Sequence, residues 1–439
     1  MDLMRTRRDT LKGLLAASGV ALSGESFALS GDSGAVAGAD FLNQLYSNAT
    51  ELTEAERSAI GKAAISCPKP TLEQLDWYGL AAGKRPPVSW PDDGNCIDYA
   101  HLLPFGALPQ ECVISHETLQ FLCERNYFVL NSASPVCFGL RGCEPVTGAG
   151  DTGWGREHRV RNVRPDHRRL KCVLGVWDRA GRQVRLFSGS TVPEVTYIYA
   201  FANSYCAPAA DVVGCNLMIP GLYRFTVGTH PRRPAPHRKT FFQPGALLGG
   251  SVAYMRTIAK LQYSPLIEHT TLEFAAVGDN VHASGSSVES EADAQGRPRF
   301  SSAGCQVIPG KYARGRAEGA WAGFREALGL SNPPSSTDNG KSIDYFLLTG
   351  ADACCAQVQS KTIADEYWRL RPGSSGKRVA EYQRHLLQTG ISNIAANGVY
   401  GPATFRAVTQ LQSCNSQLVG SPVDPGGVSS QCPNVLPGS

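Results

Sequence analysis

The chain has 439 residues, 42% hydrophobic and 18% charged, with 42 basic and 38 acidic side chains and a formal net charge of +4. That length suggests two to four domains with real cores, the composition makes disorder not the default, and the mild charge gives no bulk case for nucleic-acid binding. No apolar run reaches the roughly 18 residues that span a bilayer, so no stable membrane insertion is expected.

Residues 1–37 read as an export signal. Arg5, Arg7 and Arg8 open it, a weakly apolar stretch runs from Leu11 to Leu22, and Ala35-Val36-Ala37 is a small-residue cleavage pattern, with Ser26-Phe27-Ala28 as a competitor. Thr6-Arg7-Arg8-Asp9-Thr10-Leu11-Lys12 resembles a bacterial twin-arginine signal, with Thr10 where a large apolar residue is usual. The resemblance implies a periplasmic or extracellular protein. Fourteen cysteines agree with an oxidising compartment and with disulfides, whose pairing spacing does not reveal. There is no Cys-x-x-Cys and no metalloprotease histidine spacing, so neither a cofactor nor a metal is expected.

Residues 38–150 form a cysteine-rich region of unassigned role. Helices are predicted over 57–64, behind Thr53-Glu54-Ala55-Glu56, and after Ile114-Ser115-His116-Glu117, with Leu119, Phe121 and Leu122 as the apolar face. Gly148–Gly153 reads as a linker or long loop. From 167 the pattern turns to strands: 171–177, turn chemistry at Asp178-Arg179-Ala180-Gly181, then 183–187, 223–227 and 272–277. A helix is predicted over 312–328. Residues 331–369 hold a Pro/Ser/Asn-rich linker and a short apolar segment at 343–348. A helical unit follows at 370–413, then a Pro/Gly/Ser-rich tail at 414–439. The fold class is multidomain α+β: a strand-rich domain over 167–330 and a small C-terminal helical domain.

The C-terminal unit carries the sharpest motif. Gly373 and Gly376 precede a helix with Val379, Tyr382, Leu386 and Leu387 on one face; Asn397-Gly398-Val399-Tyr400-Gly401 makes a positive-φ turn; Thr404, Phe405, Val408 and Leu411 form a second stripe. This pattern resembles the peptidoglycan-binding domain of cell-wall enzymes, with Asn397 in place of the usual Asp. The resemblance implies peptidoglycan as partner and Tyr382, Asn397, Gly398, Tyr400 and Thr404 as its binding positions. A structural hairpin without ligand is the plainer alternative, and Tyr400 suits a core better than a stacking surface.

The candidate chemistry lies at His282, in Asn280-Val281-His282-Ala283-Ser284, and at Cys305, in Ser302-Ala303-Gly304-Cys305-Gln306. A thiol nucleophile needs a base within reach, and a small-residue turn at Ser302 and Gly304 can present backbone N–H groups to an oxyanion. The pair resembles the catalytic domain of L,D-transpeptidases (YkuD-like), and Ile219-Pro220-Gly221-Leu222-Tyr223 resembles that family's substrate-side loop. Ala303 stands where the family has His before Gly-Cys, and Gln306-Val307 departs from its continuation, which points to a divergent branch. The resemblance implies a cysteine acyltransferase or peptidase acting on peptidoglycan stems. His230, Arg232 and Arg233 are candidates to clamp a stem carboxylate. The alternatives are a disulfide role for Cys305 with a non-catalytic wall-binding scaffold, or a zinc hydrolase within 38–150.

Overall fold

In the computed structural model the described residues are 109–131, 135–148, 150–167, 169–194, 215–230, 243–257, 270–285, 300, 302–358, 368–414 and 426–429. The export signal, the helix at 57–64, Arg232, Arg233 and most of the tail lie outside them.

The described chain runs β1 (Glu111–Ser115), α1 (His116–Arg125), β2 (Val136–Arg141), β3 (Cys143–Pro145), β4 (Asp151–Gly155), β5 (Glu157–Asn162), β6 (Cys172–Asp178), β7 (Gln183–Gly189), β8 (Cys215–Met218), β9 (Gly221–His230), β10 (Gln243–Gly249), β11 (Ser251–Thr257) and β12 (Thr270–Ala276). It continues β13 (Val281–Ala283), β14 (Gln306–Ile308), β15 (Lys311–Ala313), β16 (Arg316–Glu318), α2 (Ala320–Ala327), β17 (Ser342–Thr349), α3 (Gly350–Val358), β18 (Arg369–Leu370), α4 (Lys377–Gln388), α5 (Pro402–Cys414) and β19 (Val428–Ser429).

Nine strands form one mixed sheet in the order β14-β13-β10-β9-β17-β2-β6-β7-β4, flanked by the three-stranded sheets β1-β5-β3 and β12-β11-β8. The β6–β7 hairpin forms as its turn chemistry predicts: Asp178 Oδ1 accepts from the Gly181 amide at 3.0 Å. The short segment at 343–348 is β17, which inserts at the sheet's centre, parallel to β2 and antiparallel to β9. Its alternate residues bury on opposite faces. Tyr345 and Leu347 join a core with Phe225, Leu247, Met255, Trp321 and Phe405; Phe346 and Leu348 join one with Leu119, Leu122, Phe138 and Trp177. A strand buried on both faces reads as a continuous apolar run.

The sheet takes strands from both sides of residues 150 and 331. Phe138-Gly139-Leu140-Arg141 is β2, where the buried Arg141 guanidinium donates to Thr191 Oγ1 and to the Thr191 and Met218 carbonyls. The stretch read as a loop around Gly153 is β4, on the sheet's edge against β7.

The predicted helix at 312–328 is shorter. Arg314, Gly315 and Gly319 have φ of 51°, 76° and 72°, so the chain turns into the β15–β16 hairpin before α2 starts. Helix α1 begins where expected, its Ser115 Oγ accepting from the Thr118 amide. Helix α3 starts on a reciprocal cap: Thr349 Oγ1 accepts from the Asp352 amide at 3.0 Å and Asp352 Oδ2 accepts from the Thr349 amide at 3.1 Å.

Helices α4 and α5 pack into the same core as the sheet: Val379, Tyr382, Leu386, Phe405 and Val408 are buried, while Leu387, placed on that face by its spacing, is exposed. Gly373, at φ 86°, lies against the Leu222 carbonyl, where any Cβ would overlap it, and the Leu222 amide donates to the Pro372 carbonyl at 2.9 Å. Among the described residues no helix is long and apolar enough to cross a membrane.

Candidate active site

Three side chains converge beside the β14-β13-β10-β9 end of the large sheet. Strand β9 ends on His230, β13 carries His282 at its centre, and Cys305 immediately precedes β14. The parallel β13–β14 pairing, with His282 opposite Val307, and the antiparallel pairs β10–β13 and β9–β10 hold these positions together. A ring nitrogen of each histidine and the Cys305 sulfur all lie within 4.8 Å of one another. Cys305 Sγ is 4.0 Å from His230 Nε2, and the two imidazoles are 4.6 Å apart between ring centroids. His282 is buried; His230 and Cys305 are half-buried. Cys305 is a free thiol, so the sulfur is not spent in a disulfide.

The hydrogen bonds assign different jobs to the two rings. His282 Nδ1 lies 2.7 Å from the Ala283 carbonyl, which only accepts; Nδ1 therefore carries the proton and Nε2 the lone pair. Asn280 Oδ1 accepts from the Gly249 amide at 3.0 Å, which turns its Nδ2 donor toward His230 Nδ1 at 3.3 Å. His230 Nδ1 is then an acceptor, and its N–H sits on Nε2, toward the sulfur. The two rings thus carry opposite tautomers, with the lone pair of His282 and the N–H of His230 each on Nε2.

The turn before the sulfur is tied by Ser302. Its hydroxyl accepts from the Gly304 amide at 3.1 Å and donates to the Cys305 carbonyl at 2.6 Å. The Gly304 N–H expected to face an oxyanion is thus directed at Ser302, which shapes the turn. The Asn280 amide points at the sulfur instead, at 3.5 Å. Gly304 has φ 150°, and a Cβ there would sit 2.5 Å from Asp279 Oδ1 and 2.8 Å from Asn216 Cβ, so no other residue fits without displacing the loop. Gln306 Nε2 donates to the Gly304 carbonyl at 3.0 Å, and its Oε1 accepts from the Tyr345 hydroxyl of β17 at 3.3 Å.

Asp279 is buried behind the turn. Its Oδ1 accepts from Asn216 Nδ2 at 3.3 Å, Arg256 Nε donates to Asn216 Oδ1 at 2.7 Å, and Oδ2 is buried without a hydrogen-bond partner. Burial raises the carboxyl to about 7. Burial first, and the Asp279 charge second, push the Cys305 thiol up to about 12, against the lowering effect of the Asn280 and Cys305 amides. The resting sulfur is a thiol at neutral pH.

A Cys and two His are also donors that zinc accepts, with ligand distances of roughly 2.3 and 2.0–2.1 Å. Ligation through His230 Nε2 would require that nitrogen to lose its proton and the Asn280 amide to reverse, breaking its bond from the Gly249 amide. The hydrogen-bond network suits proton transfer at sulfur better than a metal.

The remaining sequence-derived positions separate. Arg232 and Arg233 fall outside the described residues, and His230 faces the sulfur itself. In the C-terminal unit Tyr382, Gly398, Tyr400 and Thr404 are buried. The Tyr400 hydroxyl donates to the Gly426 carbonyl at 2.5 Å, and Gln383 Nε2 reaches Asn397 Oδ1, the Val399 carbonyl and Thr404 Oγ1 at 2.8–3.1 Å. Of the five positions Asn397 alone is exposed, and the others hold the unit together. The 219–223 segment is buried against Pro372, with the Tyr223 hydroxyl on the Ile219 carbonyl at 2.6 Å. Arg159 and Arg161 pair with Glu111, and Lys171 pairs with Glu144. The sequence reading missed Asn280 and Asp279; two polar residues directly before a short buried strand were the available signal.

No protein-family model matches the chain, and neither a curated protein nor a solved structure matches it.

Proposed function

We propose that the chain is an exported cysteine acyltransferase or peptidase of L,D-transpeptidase type that acts on peptidoglycan stem peptides. The observation that carries this reading is a free, half-buried thiol with two imidazole nitrogens within 4.8 Å, delivered by β9, β13 and the turn before β14. Where the family places a histidine beside Gly-Cys, this chain has Ala303, and His230 supplies a second ring from another strand.

The chemistry follows from the assigned protons. His282 takes the thiol proton at Nε2 as Cys305 Sγ attacks a peptide carbonyl, so the sulfur bonds to carbon without passing through a free thiolate and the negative charge moves to the carbonyl oxygen. His230 Nε2–H and the Asn280 backbone N–H, which flank the sulfur, are the donors beside which that oxyanion forms. The protonated His282 then gives its proton to the leaving amine, which leaves a thioester on Cys305. Water or an acceptor amine, deprotonated by His282, resolves the thioester and releases the thiol. The C-terminal unit, whose sequence resembles a wall-binding domain, would raise the local concentration of polymer without chemistry of its own.

The test is intact-mass spectrometry after incubation with a stem peptide or a carbapenem. The unaltered protein gains one acyl adduct that maps to Cys305, and Cys305→Ala gains none. An adduct that persists in Cys305→Ala rejects this nucleophile. Absence of any adduct in the unaltered protein, with wall binding retained, favours the non-catalytic scaffold. Activity lost to a chelator and indifferent to thiol reagents favours a zinc hydrolase.

A further inference from the structure

We propose that Cys112 and Cys354 are a redox-active pair whose disulfide staples β1 to helix α3. The two sulfurs stand 2.7 Å apart although 242 positions separate the residues. Non-bonded heavy atoms settle at roughly 3.5–4.0 Å, and a disulfide at about 2.05 Å. Reaching bonding distance from this spacing takes a closing movement of roughly 0.6 Å once an oxidant is supplied.

The surroundings single out this pair. β1 is an edge strand of the β1-β5-β3 sheet, and α3 lies along it, with Gln357 Nε2 donating to the Val113 carbonyl at 3.3 Å. Both sulfurs belong to buried residues. Neighbouring cysteines are engaged elsewhere. Cys143 donates to the Leu140 carbonyl at 3.4 Å, Cys172 accepts from Thr191 Oγ1 at 3.3 Å, and Cys355 accepts from Arg125 Nη1 at 3.7 Å. Adjacent Cys354 and Cys355 therefore face different partners.

The oxidant is a small-molecule or protein disulfide, RSSR. One protein thiolate attacks it, its S–S bond breaks, and one RSH leaves with a proton as a mixed disulfide forms. The second protein thiolate attacks the protein sulfur of that mixed disulfide and expels the second RSH. Two protein thiols are oxidised and one external disulfide is reduced to two thiols. Since both thiols are buried, the exchange takes place before β1 docks or during its local opening.

The full chain is refolded in a buffer of reduced and oxidised glutathione, alkylated under denaturing conditions, and digested without reduction. The expected product is a Cys112–Cys354 cross-linked peptide that disappears on treatment with dithiothreitol. In parallel, oxidation raises the thermal midpoint by several degrees, and this rise is lost in Cys112→Ala and in Cys354→Ala. The cross-link forms equally in Cys305→Ala, so its fate is separate from that of the acyl-transfer reading. Recovery of Cys112 and Cys354 both alkylated after refolding in glutathione overturns the proposal, as does a Cys143–Cys354 cross-link. If neither alanine variant folds, the cross-link map of the unaltered chain decides alone.

Discussion

Asp279 ionises against its surroundings. Its carboxyl is raised from 3.8 to about 7 by burial, so between those pH values the folded chain binds a proton that the unfolded chain has released. Its contribution to stability is therefore complete below about pH 4 and is lost as pH rises toward 7. Asp279→Asn should remove that slope and gain up to about 4 kcal/mol above pH 7, read as a flatter profile of denaturation midpoint against pH. The same change removes a negative charge near Cys305 and should speed alkylation of its thiol. The two histidines should separate by role. His282→Ala, which deletes the base, should slow acylation by about 10²–10⁴-fold, whereas His230→Gln, which can keep an N–H donor, should cost roughly tenfold. Cys305 and His282, the proposed nucleophile and base, were legible in the sequence because each sits in a short, recognisable segment. The part proposed for His230 was not: its neighbour in the chain is a basic run, while its neighbour in space is Cys305, 75 positions away.

Elements that satisfy themselves locally were readable, and those completed by distant partners were not. The β6–β7 hairpin closes with its own Asp178 and Gly181, so the turn residues announce it. Strand β17 looks like a brief apolar segment after a linker because both of its neighbours, β9 and β2, lie far away in the sequence. The 312–328 stretch keeps helical spacing of apolar residues on paper, yet Gly315 and Gly319 take positive φ and divide it. Helix α3 has its own prediction. Asp352 pairs with Arg371 at 3.1 Å, both side chains being almost wholly buried. Arg371→Ala leaves that carboxylate without its cation and should destabilise the fold by about 3–5 kcal/mol, seen as a lower urea midpoint at unchanged slope.

Across the whole molecule, the segment that resembles a wall-binding module is fastened to the rest. The Ser374 hydroxyl donates to the Asn126 carbonyl at 2.6 Å, the Ser375 amide to the Tyr127 carbonyl at 2.8 Å, and Phe405 packs edge-on against Phe274 of β12. The described residues fall within one compact unit. Calorimetry should accordingly give a single transition for them, and deletion of 370–439 should lower the midpoint of what remains; an unchanged midpoint would show the helices to be an independent appendage. The central place of β17 also dictates a sequence of events at the ribosome. Until residue 349 has emerged, the facing margins of β9 and β2 have no strand between them. At roughly 5–20 residues per second, the nascent chain spends about ten seconds with two sticky half-sheets before the keystone arrives. Such a polypeptide exposes two unpaired strand margins during translation and completes its central sheet only after its synthesis is nearly done.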